Sequence, residues 1–342
     1  MGENNRGSTR RVVVLGTGGT IAGRASRAED NIGYTAGEVG VAELLQGVDV
    51  PAGIALSAEQ VAQVDSKDMS FALWQALARR CAHWLSEPDV AGVVVTHGTD
   101  TLEETAYFLQ SVLSPAKPVV LTCAMRPASA LMPDGPQNLR DAIAAAVTPG
   151  ARGVVAVCAG TVHGAREVQK VHTYRLDAFD SGDAGPLAYV EEGALRMLRE
   201  WPQACGATPL FERVVGAVSW PRVEILLSHA EARGAIVDAL VAERVQGAPD
   251  AAEGIVLAAT GNGTLHHALE AAALRAQAAG IAVVRATRCA QGRILAKPGD
   301  ALRDAGALTP VKARIELALE LLSAAAPAQR EQGWRDRGAS KG

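Results

Sequence analysis

Aromatic residues are scarce in this chain: Phe, Trp and Tyr make up 4% of its 342 residues. The core must therefore be built mainly from Ala, Val and Leu. Charge of one sign is lacking too. The net charge is −4 and Lys and Arg are scattered, which leaves no basic field for nucleic acid and no polybasic run for a membrane surface. No run of about 18 apolar residues occurs, so no spanning helix is expected. The N-terminal MGENNRGSTRR has no apolar segment before Val12, which argues against a secretory signal. The five cysteines (81, 123, 158, 205 and 289) are odd in number, widely spaced and free of any CxxC pair. That excludes zinc-ribbon and thioredoxin-like readings and points to a reducing, cytoplasmic location. Cys123 and Cys158 lie inside apolar runs and read as buried core thiols.

What is present describes a large globular chain. It is 48% hydrophobic and 20% charged with 35 Gly, which excludes disordered and collagen-like classes. Single cores stop growing near about 250–300 residues, so two domains are expected. Short β-branched runs at 12–15, 92–96, 118–125 and 153–160 alternate with helical patterns at 71–85, 101–113 and 137–147. Strands apolar on both faces predict an α/β fold, a parallel-rich sheet flanked by helices. The alternation fades over 176–213. It resumes with expected strands at 214–220, 254–260 and 281–287, and helices near 231–243, after Thr264 and over 309–323. The organisation read from this is a larger N-terminal domain over 1–195, a linker over 196–213, a smaller α/β domain over 214–327 and a polar tail over 328–342.

Two strand ends carry the chemical signals. VVVLGTGGTIAG (12–23) is a strand, a glycine turn and two hydroxyls, Thr17 and Thr20. Ligands of open α/β sheets bind beyond the carboxyl ends of strands, so such a turn is a good place for a site. The dinucleotide reading is weak because Ile21 stands where a third Gly belongs, and no Walker Gly-Lys-Ser/Thr follows. A turn that merely permits positive φ is the plain structural reading. VVVTHGTDTLEET (93–105) repeats the design, with Glu103 and Glu104 suited to the first turn of a helix. Its backbone N–H groups could also hold an oxyanion or carboxylate. No GxSxG elbow exists, so an α/β-hydrolase is unsupported and His97 reads as a structural, hydrogen-bonded histidine.

Together the two segments resemble the signature motifs of the bacterial-type L-asparaginase/glutaminase family. Tyr34 in NIGYTAG, Ser66 in QVDSKDM, Lys170 in REVQKVHTYRLDAFDS and the GNG at 261–263 fall in the family's order, and the resemblance spans roughly residues 11–325. It implies cleavage of a side-chain amide to the acid and ammonia, with Thr20 as nucleophile and Tyr34 its neighbour on a mobile loop over 24–36. Thr99, Asp100 and Lys170 would form a second set, Lys170 serving as base or as the group that positions Thr99 and activates water. Ser66 would hold the substrate α-carboxylate and Asp100 its α-ammonium, with Lys67 and Asn262 at the binding seat. No metal or cofactor is implied. The partners implied are a small amino-acid substrate and further copies of the chain, as a dimer or tetramer.

The sequence also departs from that pattern. Lys67 stands where Gln or Glu is common, and could pair with Asp65, Asp68 or the substrate carboxylate. Thr264 replaces an Asn, and 288–310 lacks the Glu that a neighbouring subunit would contribute, leaving Asp300 and Asp304 as the acids there. L-asparagine is the expected substrate, with weaker action on L-glutamine. The alternatives are an amidohydrolase for a modified or D-asparagine, an amino-acid-binding protein without turnover, a tRNA-linked amidotransferase subunit and a nucleotide-dependent oxidoreductase.

Overall fold

Val12–Leu15 are four fully buried apolar residues in a row, as a strand covered on both faces requires. They lie in β1 (Arg10–Gly18), which is flanked by a strand on each side, one strand in from the edge of the larger sheet. The computed structural model describes residues 10–204 and 209–324. The chain divides into two units, the first ending at Thr208 and the second beginning at Pro209.

In the first unit β1 leads through the small pair β2 (Arg24–Ala25) and β3 (Tyr34–Thr35) and the short α1 (Val41–Leu44) to β4 (Ile54–Val64). There follow α2 (Phe71–Ser86), β5 (Val90–Thr96), α3 (Leu102–Leu113), β6 (Val119–Thr122), α4 (Gly135–Val147) and β7 (Val154–Cys158). The unit closes with β8 (Thr161–Gly164), the pair β9 (Gln169–Lys170) and β10 (Phe179–Asp180), then β11 (Ala188–Glu191) and β12 (Ala194–Met197). The large sheet runs β12-β11-β8-β7-β6-β5-β1-β4. From β4 to β7 every pairing is parallel, and β8, β11 and β12 add an antiparallel edge.

The order β4-β1-β5 decides where a site can form. The chain leaves β1 toward β4 on one side and returns to β5 on the other. Loops at the carboxyl ends of β1 and β5 therefore diverge, and a crevice opens there. Val12, Val14, Val94, Val120 and Val155 pack with Leu139, Ala142, Ile143 and Ala146 of α4. Their alternates Val13, Leu15, Val93, Val95 and Leu121 are equally buried and point to the opposite face. Trp74 of α2 stacks on Phe108 of α3, a use of two of the few aromatics to join those helices.

The second unit contains α5 (Pro209–Gly216), β13 (Val223–Leu227), α6 (Ala235–Val245), β14 (Gly254–Ala259), α7 (His267–Ala278), β15 (Ala282–Thr287), β16 (Arg303–Asp304) and α8 (Pro310–Ser323). Its four strands are parallel and lie in chain order. Ile255, Leu257 and Val283 of the sheet pack with Val237 and Leu240 of α6 and Leu269, Ala272 and Ala276 of α7.

Two expectations are corrected. The strand placed at 214–220 is absent: Val214–Gly216 end α5, and the strand begins at Val223. A short apolar run does not distinguish a strand from a buried helical turn. The linker placed at 196–213 overlaps both units, because Arg196 and Met197 close the β11–β12 hairpin and residues 209–213 open α5. The expected tail over 328–342 lies outside the described residues. No helix among the described residues is long and apolar enough to cross a membrane.

Candidate active site

The two glycine-rich strand ends meet backbone to backbone. Gly18 and Gly19 have φ of 102° and 80°, which only glycine adopts without strain. A Cβ built on Gly19 would lie 2.2 Å from Gly98 Cα, and one on Gly98 would lie 2.5 Å from Ser66 Oγ. Both separations are impossible, so glycine at 19 and at 98 is a packing requirement. Thr20 and Thr99 each directly follow one of these glycines, so the two hydroxyl-bearing residues flank one backbone contact. Thr17 does not face it: its hydroxyl donates to the Thr96 carbonyl at 2.9 Å and ties the end of β1 to β5.

Thr20 opens a 3-10 turn (Thr20–Ala22) and is 6% exposed. Its Oγ lies 2.6 Å from the Tyr34 hydroxyl. Residues 24–35 form the small β2–β3 hairpin that carries Tyr34 across Thr20. The hairpin is tied down at Ala25, whose N–H donates to Ser129 Oγ at 2.8 Å, and at Ala28, whose carbonyl accepts from Leu131 N–H at 3.1 Å. Burial raises the Tyr34 phenol above its ordinary range, the bond with Thr20 opposes this, and the charges of Asp65 and Asp100 add to the rise. The phenol is therefore protonated at neutral pH.

Thr99 has charged partners. Lys170 Nζ donates to Thr99 Oγ at 2.8 Å and to Asp100 Oδ1 at 2.6 Å. Ser66 is 3% exposed, and its Oγ accepts the Asp100 N–H at 3.2 Å. The Ser66 carbonyl accepts the Thr101 hydroxyl at 2.7 Å. Asp100 N–H is thereby engaged in fixing the loop. Ser66 lies in a 3-10 turn (Ser66–Asp68) whose cap is the Asp65 carboxylate, which accepts Lys67 N–H. The Lys67 ammonium pairs with Asp68, and lies 3.8 Å from Asp65. Its charge is spent on this acidic turn.

Thr20, Tyr34, Ser66, Lys67, Thr99, Asp100 and Lys170 all belong to the first unit. Asn262 lies in the second, where its side-chain amide donates to the Leu295 carbonyl at 3.1 Å and accepts Leu295 N–H at 2.7 Å. It clamps a loop. Asp300 and Asp304 are engaged as well, Asp300 with Arg285 and Lys297 N–H and Asp304 with Gly306 N–H. Among the described residues no group of three or more His, Cys, Asp or Glu could hold a metal ion. Sequence reasoning missed Glu103, which it took for a first-turn acid. Its Oε1 accepts the backbone N–H of Lys170 at 3.3 Å.

His97 supports the floor of the crevice and is fully buried. Trp74 Nε1 donates to Thr105 Oγ at 2.9 Å, and Thr105 Oγ lies 2.9 Å from His97 Nε2. The Gly98 carbonyl can only accept, which puts the ring proton on Nδ1 and leaves Nε2 of the neutral ring to accept the Thr105 hydroxyl proton. That proton is donated to the Gly98 carbonyl at 2.7 Å. Burial pushes the ring down to about 4, with the bond to Gly98 opposing.

A family model described as "Asparaginase, N-terminal" matches residues 11–203, and one described as "Glutaminase/Asparaginase C-terminal domain" matches 222–332. The chain is 36% identical over 314 residues to an "L-asparaginase 2" of Bacillus subtilis (strain 168), covering 90% of this chain and 81% of that protein. It is 34% identical over 313 residues to a "Glutaminase-asparaginase" of Pseudomonas fluorescens biotype A, covering 89% and 84%. A crystal structure of a "Probable Cytoplasmic L-asparaginase" from Campylobacter jejuni superposes with a TM-score of 0.84 at 34% identity, covering 94% of this chain and 98% of that one.

The buried neutral histidine has a consequence for stability. Below about pH 6.5 the unfolded chain binds a proton at His97 that the folded chain refuses until about pH 4. Its contribution is intact above pH 6.5 and falls by about 3 kcal/mol as the pH drops to 4. Urea unfolding of wild type and His97→Gln at both ends of this range checks it. The expected result is a shallower loss of stability with acid in the variant; identical pH dependence would refute the assignment.

Proposed function

The chain belongs to the asparaginase/glutaminase family, and we propose that it hydrolyses the side-chain amide of L-asparagine to L-aspartate and ammonia, with weaker action on L-glutamine. The observation that carries this is the meeting of two differently equipped hydroxyls at one contact: Thr20 beside a protonated phenol, Thr99 beside an ammonium and a carboxylate. Binding an amino acid requires neither arrangement.

Thr20 Oγ attacks the side-chain carbonyl carbon, its proton passing by way of the site's hydroxyls to the departing nitrogen. The C–N bond breaks, ammonia leaves and an ester joins the aspartyl group to Thr20. Water then attacks the ester, gives its proton back to Thr20 and releases aspartate. Lys170 holds Thr99 in the second set and stabilises negative charge as it develops. Tyr34 closes over Thr20 on its hairpin and limits water during acylation. Ser66 takes the substrate α-carboxylate and Asp100 its α-ammonium. Lys67, bound to Asp65 and Asp68, offsets the negative charge next to that seat. Asn262 has no role in this scheme, because its amide is used on Leu295.

The odd, widely spaced cysteines favour the cytoplasm as the site of action. The likeness to the family favours a homo-oligomer, a dimer or tetramer. Light scattering on the purified chain checks this; a monomer at working concentration would contradict it.

Ammonia release tests the activity. L-asparagine is expected to turn over faster than L-glutamine, and Thr20→Ala to lose roughly a thousandfold or more in kcat. Glutamine at parity would overturn the preference, and an active Thr20→Ala would overturn the nucleophile. Turnover of an N-acylated asparagine alone would move the substrate to a blocked amide.

A further inference from the structure

Lys170 is held by little regular structure. It sits on a strand of two residues, with Lys170 opposite Phe179 and Gln169 opposite Asp180. Immediately beyond it Val171 and Tyr174 are exposed. A lysine has four side-chain torsions, and so short a pair does not by itself fix where its ammonium lies. Yet Nζ meets Thr99 Oγ and Asp100 Oδ1 together. The neighbouring Val171 N–H donates to the Ala178 carbonyl at 2.8 Å, so a further group must hold the Lys170 backbone on its other edge.

Glu103 is placed to do so. It lies in the first turn of α3, three residues beyond Asp100, and is 9% exposed. Its Oε1 accepts the Lys170 N–H at 3.3 Å, across 67 residues of sequence. Burying a carboxylate is costly, and the N-terminal end of a helix is where that cost is best offset. The bond closes a ring. It runs from the HGTDT loop into α3, across Glu103 to the Lys170 backbone, out along the lysine side chain and back to Thr99 and Asp100. The helix that begins at the active-site loop thus holds the distant lysine as well.

We propose that Glu103 is a positioning residue for turnover: it fixes the Lys170 backbone so that the ammonium reaches Thr99. This rests on the reading above that Lys170 works with Thr99. A displacement of about 1 Å in such a group can cost up to about a hundredfold in rate.

The test compares Glu103→Ala, Glu103→Gln, Lys170→Met and the double variant Glu103→Ala/Lys170→Met, with thermal melts to establish that each is folded. Glu103→Ala is expected to lower kcat for L-asparagine by about tenfold or more, with KM changed by less than about threefold. Glu103→Gln keeps an acceptor oxygen and should recover to within about threefold of wild type. In the Lys170→Met background the Glu103→Ala change should cost almost nothing more, because both act through one group. An equal cost in both backgrounds, or a glutamine variant as impaired as the alanine variant, would overturn the proposal.

A second readout does not depend on activity. Acetic anhydride labelling, mapped by mass spectrometry, should modify Lys170 more slowly than the exposed Lys67 in the wild type. It should modify Lys170 several-fold faster in folded Glu103→Ala. Unchanged labelling would overturn the positioning role even if the chain released no ammonia, whereas absence of ammonia release alone would count against the functional reading.

Discussion

The backbone contact between Gly19 and Gly98 is the constraint on which the site depends. Parallel strands β1 and β5 are neighbours, and the chain leaves their carboxyl ends in opposite directions. The crevice this creates would normally be held open by side chains. Without Cβ atoms at 19 and 98 the two turns close to van der Waals contact, and the residue after each glycine is a threonine. Other features reinforce this closure. Thr17 bonds across to Thr96, Ser66 Oγ accepts from Asp100 in the space a Cβ on Gly98 would fill, and His97 holds the Gly98 carbonyl from below. An alanine at either glycine would damage the site through shape alone, without removing one functional group.

The two hydroxyl-bearing residues flank one backbone contact but differ in their electrostatics. Thr20 faces a phenol that stays neutral, on a hairpin tied down at Ala25 and Ala28. Thr99 faces a lysine ammonium balanced by Asp100, with Glu103 behind it. A nucleophile must give up a proton and then carry an ester, which suits a neutral neighbour. Charge that develops as water attacks is better met by a fixed cation in a partly buried place, where Coulomb interactions are stronger than in bulk water. The Thr99 half of the site stands on a helix start, and Tyr34 stands on a two-strand hairpin.

Much of this was legible in the residues. Alternating β-branched runs and helical patterns located the sheet and its helices, because strands buried on both faces leave an unbroken apolar signature, as in VVVL at 12–15 and GVVVT at 92–96. The glycine-hydroxyl motifs marked the two turns that meet at Gly19 and Gly98, because few other sequences allow turns so tight. Less was legible where one pattern serves two structures. VVGAVSW reads as a strand, yet its valines end α5. Glu103 reads as a complement to the helix dipole, and nothing local announces a bond to a backbone 67 residues away. Asn262, which the family resemblance brings to the binding seat, has an amide that both donates to and accepts from Leu295, 33 residues on. In each case a long-range partner decides the role, and periodicity and spacing carry no information about such partners.

The central claim is that Thr20, and not Thr99, carries the acyl group. Rapid acid quenching of the protein with L-asparagine, followed by peptide mapping by mass spectrometry, tests it directly. The account predicts an aspartyl ester on the peptide containing Thr20, accumulating further in Lys170→Met, where the second step is slowed. An ester on Thr99, or ammonia released while no residue is ever esterified, would contradict it.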